Sequence, residues 1–234
     1  MTLASRSSSS QSPSPTPDAP MLATDADQST TDRALSIIRQ QIIEGKLPPG
    51  TALIENDLTG PLGVSRNTLR EALRLLCRDG LATHYRHRGV IVRTLTLQDV
   101  RDIYRVRRTL ELQAVLCKDA LDEATLQNMR GAIEQAQNAA KAGDWRMVGT
   151  HSLFFHQRIV QLLKSPLLNS FFETILAQLR LVFAAAPDEA LFQLPWLERD
   201  AAIFALLAAG DTQGASVMLS EYLTRSEHSL LDHL

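Results

Sequence analysis

The sequence predicts a mostly α-helical protein, with an N-terminal winged helix-turn-helix followed by an antiparallel bundle of helices. Leu and Ala are abundant while aromatic residues make up only 5% of the chain, a composition that favours helices over sheets. Residues 31–78 show apolar side chains at helical spacing interrupted by turns, and two short strand-like runs follow. From Thr96 onward the pattern is helical throughout.

Composition divides the chain into three expected regions. Residues 1–29 are rich in Ser, Pro and Thr and cannot bury enough apolar surface to offset the entropy of ordering, so we expect a disordered tail. Residues 30–94 hold ten Lys and Arg against six Asp and Glu, whereas residues 95–234 hold thirteen against seventeen. This asymmetry indicates phosphate contact by the first of these two domains.

The chain has the composition of a soluble protein, and we expect it to be cytoplasmic. Cys77 and Cys117 lie far apart in sequence and form no metal-ligand pair, so reduced thiols are the expected state. No apolar run reaches the ~18–20 residues that span a bilayer. The N-terminal residues resemble no signal peptide, and no membrane partner is expected.

The expected winged helix-turn-helix begins near Thr31 with a helix that Gly45 closes. A short helix follows over Glu55–Leu62, and a tight Gly-Val turn leads to Ser65, a residue type favoured at a helix N-cap. A second amphipathic helix runs from Arg66 to about Arg78.

A wing and a helical bundle complete the predicted architecture. Residues 81–85 and 89–93 read as two short strands with a polar hairpin tip between them. Beyond the wing, plausible helices run near 97–121, 123–142, 144–163, 166–184, 195–209 and 211–232. Short connections between helices indicate an antiparallel bundle.

The helix that starts at Ser65 has the residues of a DNA-reading helix. Arg66 and Arg70 lie four residues apart on one face, suited to bidentate contact with guanine or to contact with phosphate. Asn67 and Thr68 can reach bases or backbone oxygens, and the Ser65 hydroxyl adds a phosphate contact at the helix N-terminus. On the wing, we expect a second contact with DNA from Arg86, His87 and Arg88. The alternative is a merely solvated basic face formed by Arg66, Arg70, Arg74 and Arg78.

The stretch IEGKLPPGTALIENDL followed by GVSRNTLREALRLLCRDGL resembles the GntR family of bacterial regulators. The resemblance implies a winged helix-turn-helix that binds short palindromic operators as a homodimer and responds to an effector held by the C-terminal domain. It places DNA contacts at Ser65, Arg66, Asn67, Thr68 and Arg70, and on the wing from Arg86 to Gly89.

The C-terminal half resembles the all-helical effector domain of the FadR-type branch, through VRRTLE at 106–111, Phe155-His156 and Gly210-Asp211. Many members of this branch hold a divalent metal with one Asp and three His. Here Ser152 stands at the Asp position, and Asp200 and Tyr222 stand at two His positions. Because only His156 keeps its identity, we expect no tightly bound metal, although a weak site at His156 and Asp200 stays open.

A small-molecule pocket can persist without the metal. The resemblance places Ser152, His156, Asp200 and Tyr222 toward the bundle centre, where Arg107 can pair with an anionic group. The alternative is that His156 and Tyr222 are satisfied core groups and that Arg107 pairs with Glu111 along one helix.

The sequence therefore predicts a sequence-specific regulator of transcription, most simply a repressor, that binds operator DNA as a homodimer and is controlled by an organic acid. No cofactor and no enzymatic activity are expected. Two rivals remain at this stage. One is a helical-bundle enzyme that uses His156 and Asp200, and the other is an architectural DNA-binding protein without an effector.

Overall fold

The structure, a computed structural model, describes residues 29–117, 121–183 and 189–232. The predicted disordered tail therefore lies outside the described residues, except for Ser29. The described elements are, in chain order, α1 (Thr30–Ile43), α2 (Glu55–Leu62), α3 (Arg66–Arg78), β1 (Ala82–Tyr85), β2 (Gly89–Val92), α4 (Leu97–Ala114), α5 (Glu123–Lys141), α6 (Trp145–Gln161), α7 (Pro166–Phe183), α8 (Glu189–Ala208) and α9 (Thr212–Leu231). The predicted fold class is confirmed.

Local capping explains where the helices of the winged helix-turn-helix begin and end. The Ser29 side chain accepts from the backbone N–H of Asp32 and starts α1 one residue before the predicted position. Gly63 ends α2 with φ of 62°, a left-handed conformation that glycine adopts without strain. Ser65 is the N-cap of α3, as predicted, so the turn between α2 and α3 spans only residues 63–65.

The wing is a two-stranded antiparallel hairpin with a further segment paired beside it. Ala82 pairs with Val92 and Tyr85 with Gly89, close to the predicted strand limits. Beyond the prediction, residues 50–53 lie along the other edge of β2, because Gly50 N–H donates to the Val92 carbonyl at 2.9 Å. Leu53 N–H donates in the same way to the Val90 carbonyl at 2.8 Å. This pairing fixes the wing to the segment that leads into α2.

In the C-terminal bundle, α6 packs against α4, α5, α7 and α8, and α9 covers α4 and α8. Two predicted limits differ. Helix α4 ends at Ala114 instead of continuing to 121, and the described α8 begins at Glu189 instead of near 195. Pro195 therefore lies inside α8, where the buried side chains of Phe192 and Trp196 keep the helix packed on both sides of the proline.

The two halves of the chain share one continuous apolar core. In the N-terminal half, Ile38 and Ile42 of α1 and Leu69 and Leu76 of α3 are fully buried. Helix α7 contacts both α1 and α6, so it joins this core to that of the bundle. No helix within the described ranges combines the length and the apolar character that crossing a membrane requires.

Candidate functional site

The first turn of α3 presents polar side chains to solvent while the opposite face is buried. Arg66, Asn67 and Arg70 are exposed, whereas Leu69 and Leu76 have no exposed surface. Because α3 is held by its apolar stripe against α1, these three side chains point away from the core. They are placed as an element that enters a DNA groove would require.

Ser65 and Thr68 are engaged in starting α3. The Ser65 Oγ accepts from the Thr68 backbone N–H at 3.1 Å and lies 2.8 Å from the Thr68 Oγ1. Ser65 is exposed and Thr68 is partly buried. The cap leaves hydroxyl groups at the helix N-terminus, where the positive end of the helix dipole favours an anion.

The wing tip holds the remaining predicted DNA contacts. Arg86, His87, Arg88 and Gly89 are all exposed. The tight turn requires left-handed backbone at His87, with φ of 70°, and at Gly89, with φ of 76°. Two guanidinium groups are thereby displayed at the end of a rigid hairpin.

A cleft of about 710 Å³ separates α3 from the wing. Its floor is apolar, with Leu73 and Val90, and its rim carries Arg70, Arg74 and Arg88. Glu55 of α2 also lines the cleft, and its Oε1 accepts from the Nε of Arg70 at 2.8 Å. Two predicted contact residues, Arg70 of the helix and Arg88 of the wing, thus lie on either side of one basic cleft.

A second polar site lies in the core of the C-terminal bundle, where buried side chains from four helices meet. Arg107 and Glu111 of α4, His156 of α6 and Asp200 of α8 each expose no more than 1% of their surface. Burial of four ionisable groups is costly unless they are paired. The full set is Arg107, Glu111, Ser152, His156, Asp200 and Tyr222, which we call the buried polar cluster.

The contacts within the cluster form two linked groups. The Glu111 carboxylate accepts from Arg107 Nε at 2.6 Å and pairs with His156 Nδ1 at 2.6 Å. Ser152 Oγ donates to Asp200 Oδ2 at 2.6 Å. His156 Nε2 lies 3.4 Å from Asp200 Oδ1, which brings the two groups into ion-pair range without a hydrogen bond between these atoms. Tyr222 packs its ring on His156, with 4.8 Å between the ring centroids.

The pairing keeps charge on the buried groups. Burial raises the pKa of Glu111, but the Arg107 guanidinium and His156 outweigh it, so the pKa lies below its ordinary value. For His156 burial is the largest single effect and lowers the pKa, but the Glu111 carboxylate and Asp200 together outweigh it and raise the pKa overall. Burial and the nearby Asp200 raise the pKa of Tyr222 well above 10, which keeps its hydroxyl protonated.

Several polar atoms around the cluster have no hydrogen-bond partner among the described residues. They are Arg107 Nη2, His156 Nε2, Asp200 Oδ1 and, from the ring that packs edge-on against Tyr222, Trp196 Nε1. Buried polar atoms are rarely left unpaired in folded proteins. Donors and acceptors together in one region are therefore suited to a small polar ligand or to ordered water.

Comparison with known families matches both halves of the chain. Residues 30–92 match the model of the bacterial regulatory proteins of the GntR family, and residues 102–225 match the FCD domain. The crystal structure of a GntR transcriptional regulator from Rhodococcus sp. RHA1 superposes with a TM-score of 0.79 at 35% identity, and the match covers 88% of this chain and 100% of that one. The chain belongs to the GntR family, in the branch that carries an FCD domain.

Two curated relatives agree with this assignment. YdhC, an uncharacterized HTH-type transcriptional regulator of Bacillus subtilis (strain 168), is 36% identical over 107 residues, a match that spans only 48% of that protein. The "Probable D-xylose utilization operon transcriptional repressor" of Paenarthrobacter nicotinovorans is 27% identical, over 82% of this chain and 86% of that protein. GntR-family regulators bind operator DNA and effector ligands, so the predicted role in transcription is confirmed over the enzymatic and architectural alternatives.

The buried polar cluster does not fit the metal site expected in this branch. A divalent ion requires at least three convergent donors, and the described residues contain no such group of His, Cys, Asp or Glu. The Glu111 carboxylate is already bonded to Arg107 and His156, and the Ser152 hydroxyl donates its hydrogen bond to Asp200. Among the described residues of the cluster, the metal donors without a hydrogen bond are therefore two, His156 Nε2 and Asp200 Oδ1, too few to hold a divalent ion.

Sequence reasoning missed Glu111 as a member of the cluster. It was treated only as the i+4 partner of Arg107, an interpretation that the 2.6 Å ion pair confirms. Glu111 also holds His156, and no local pattern reveals this contact because 45 residues separate the two in sequence. The available signal was a pair of charged residues, Arg107 and Glu111, at the helical spacing of the apolar face of α4.

Helix α6 connects the cluster to the winged helix-turn-helix. Two turns before His156, Thr150 Oγ1 donates to the Ile43 carbonyl at 3.1 Å. One turn earlier, Arg146 Nη1 donates to the Glu44 carbonyl at 3.1 Å. Both acceptors lie at the C-terminal end of α1. A movement of α6 would therefore be transmitted directly to the DNA-binding half of the chain.

Proposed function

We propose that this regulator reads its operator with the first turn of α3 and with the wing tip. The observation that carries the proposal is a basic cleft with Arg70 of α3 on one side and Arg88 of the wing on the other. Arg66 is also exposed on α3, and Arg86 on the wing tip. Ser65, Asn67 and Thr68 contribute backbone or base contacts from the helix N-terminus, and His87 and Gly89 shape the wing contact.

The proposal also covers the oligomeric state and the domain boundary. The chain acts as a homodimer, because a two-fold protein matches the two half-sites of a palindromic operator, one helical turn apart. The boundary between the two domains lies near residue 94. The winged helix-turn-helix spans 30–94, and the effector-binding and dimerisation domain spans 95–234. The bond from Arg93 to Asp99, at 2.7 Å, spans this boundary.

The DNA-binding surface can be tested with Arg66→Ala and Arg70→Ala. Each change is expected to lower specific affinity about 5-fold to 150-fold, because a bidentate arginine contact is worth about 1–3 kcal/mol. Affinity is measured by gel shift on a duplex selected from a randomised pool by the wild-type chain. Arg101→Ala, an exposed change on α4, is the matched control and should bind as wild type. Operator affinity retained by the double Arg66/Arg70 variant would contradict the assignment.

We also propose that the buried polar cluster binds the effector, a small organic acid. Arg107 Nη2 and Trp196 Nε1 are unpaired donors for a carboxylate, and Asp200 Oδ1 is an unpaired acceptor for a hydroxyl of the same ligand. Ser152, His156 and Tyr222 complete the polar lining. The carboxylates of Glu111 and Asp200 already face Arg107 and His156, which favours a small, singly charged acid over a polyanion.

Binding at the cluster would control DNA affinity through α6. The effector can shift operator affinity only by its differential affinity for two arrangements of the DNA-binding half. His156 and Ser152 lie on the same helix as Thr150 and Arg146, which bond to the end of α1. A ligand that repositions α6 thus favours one arrangement over the other.

Thermal unfolding with a panel of small mono- and dicarboxylates tests the effector site. An acid present at 100 times its Kd stabilises the fold by about 2.7 kcal/mol, enough to raise Tm by about 5–10 °C. Tyr222→Phe removes one hydroxyl from the cluster and should reduce the shift. Thr224→Val, which removes an exposed hydroxyl from the same helix outside the cluster, is the control. A shift equal in wild type and Tyr222→Phe, or no shift with any acid, would count against this site.

A further inference from the structure

We propose that Glu55 makes Arg70 a base-reading residue and so determines operator selectivity. This inference rests on the proposed function of α3. Glu55 is the first residue of α2, and Arg70 lies on the outer face of α3. Their contact therefore joins the two helices of the helix-turn-helix on the surface that faces DNA.

The contact uses the Nε–H of the Arg70 guanidinium and leaves its two terminal amino groups available. Glu55 Oε1 accepts from Arg70 Nε at 2.8 Å. Arginine carries five N–H donors, so the two terminal amino groups of Arg70 keep theirs. A guanine contact requires two parallel N–H groups for O6 and N7. The carboxylate thus holds the guanidinium in one orientation with a base-reading edge presented outward.

Holding the arginine reduces the entropy that it loses on binding. A free arginine side chain has many rotamers, and the loss of this rotamer entropy opposes its fixation on DNA. Arg70 remains 54% exposed and Glu55 33% exposed, so the pair is open to DNA. The Glu55 hydrogen bond raises the pKa of Arg70, which keeps its charge in this position.

The charge of Glu55 also acts against non-specific binding. Of the described residues that line the cleft between α3 and the wing, Glu55 is the only acidic one, beside Arg70, Arg74 and Arg88. A carboxylate repels the phosphates of any duplex, whatever its sequence. The same group therefore lowers affinity for random DNA and supports one specific base contact.

The experiment compares wild type with Glu55→Gln in the full chain. The probes are a duplex selected by wild type from a randomised pool and a scrambled duplex of equal composition. In Glu55→Gln, affinity for the scrambled duplex is expected to rise about threefold. Affinity for the selected duplex should fall, so that the ratio of the two drops about tenfold or more. A repeated selection with this variant should lose a guanine that wild type requires.

Glu71→Gln is the matched control, because Glu71 is an exposed acid on α3 paired with Arg74 at 3.0 Å. It should change both affinities by similar factors and leave the ratio intact. An unchanged ratio in Glu55→Gln, or an equal drop in Glu71→Gln, would overturn the role of Glu55. A wild-type chain that enriches no sequence would overturn the proposed function itself, and this inference with it. Unfolding curves for each variant establish that the fold is kept.

Discussion

At the scale of single residues, Glu111 shows how a buried charge is maintained. Its carboxylate accepts from both Arg107 and His156 in a region with almost no solvent contact. Removing one partner from a buried ion pair leaves an uncompensated charge, which costs more than the pair itself contributes. Glu111 is therefore the residue on which the stability of the cluster depends most.

Glu111→Gln is expected to lower the free energy of unfolding by about 3 kcal/mol, since Arg107 and His156 both lose their counter-charge. The loss should also depend on pH. His156 has its pKa raised in the folded state, so its pairing stabilises fully below its ordinary value of about 6.5 and less as pH rises through the raised pKa. Asp200 and Tyr222 face the same imidazole. The difference between wild type and Glu111→Gln should therefore shrink with rising pH.

Urea unfolding across this pH range measures that difference. Glu134→Gln, an exposed change on α5, is the control and should alter stability by less than about 0.5 kcal/mol at every pH. A difference for Glu111→Gln that is constant from pH 6 upward would show that His156 does not carry its proton through this pairing.

At the scale of elements, short sequence motifs predicted where helices begin and end, whereas features that depend on distant segments were not predicted. Ser65 and Gly63 mark the limits of α3 and α2 because capping and left-handed backbone depend only on nearby residues. Pro195 was expected to start a helix but lies inside α8, where burial on both sides decides the outcome. The pairing of residues 50–53 with β2 likewise joins segments about forty residues apart, beyond any local pattern.

The same distinction applies to the candidate sites. The exposed residues of α3 and the wing could be predicted from one contiguous stretch, because a helix-turn-helix displays its first turn through local geometry. The cluster residues Arg107, His156 and Asp200 came from the family resemblance. Their tertiary contacts, including the one from Glu111 to His156, arise only when α4, α6 and α8 pack together.

At the scale of the whole molecule, the bundle caps helices of the DNA-binding half. Gln178 Nε2 of α7 donates to the Asp79 carbonyl at the end of α3, at 2.7 Å. Gly80 follows with φ of 70°, a left-handed conformation that favours glycine, and a Cβ there would lie 2.9 Å from the same Nε2 and would displace it. Thr150 and Arg146 cap α1 in the same way. The last carbonyls of α1 and α3 would otherwise require hydrogen bonds from water. Side chains of the bundle supply these bonds instead.

This capping predicts that the two halves unfold together. The triple variant Arg146→Ala, Thr150→Val and Gln178→Ala removes three hydrogen bonds, each worth about 1 kcal/mol. The apolar contacts of α7 with α1 and the Arg93–Asp99 ion pair then remain between the halves. In calorimetry we expect one transition for wild type and two for the variant, the first accompanied by loss of DNA binding. An effector that stabilises wild type should then raise the midpoint of the bundle's transition only.

The control is Thr224→Val, which removes a hydroxyl that bonds to the Ser220 carbonyl at 2.9 Å within α9. It should leave a single transition and an intact response, because no bond between the halves is lost. If the triple variant also unfolds in one step, with both halves still stabilised by the effector, the buried apolar contacts of α7 couple the halves. In that case the caps on α1 and α3 would contribute only stability, and the path from the cluster to the recognition helix would run through α7 instead of through α6.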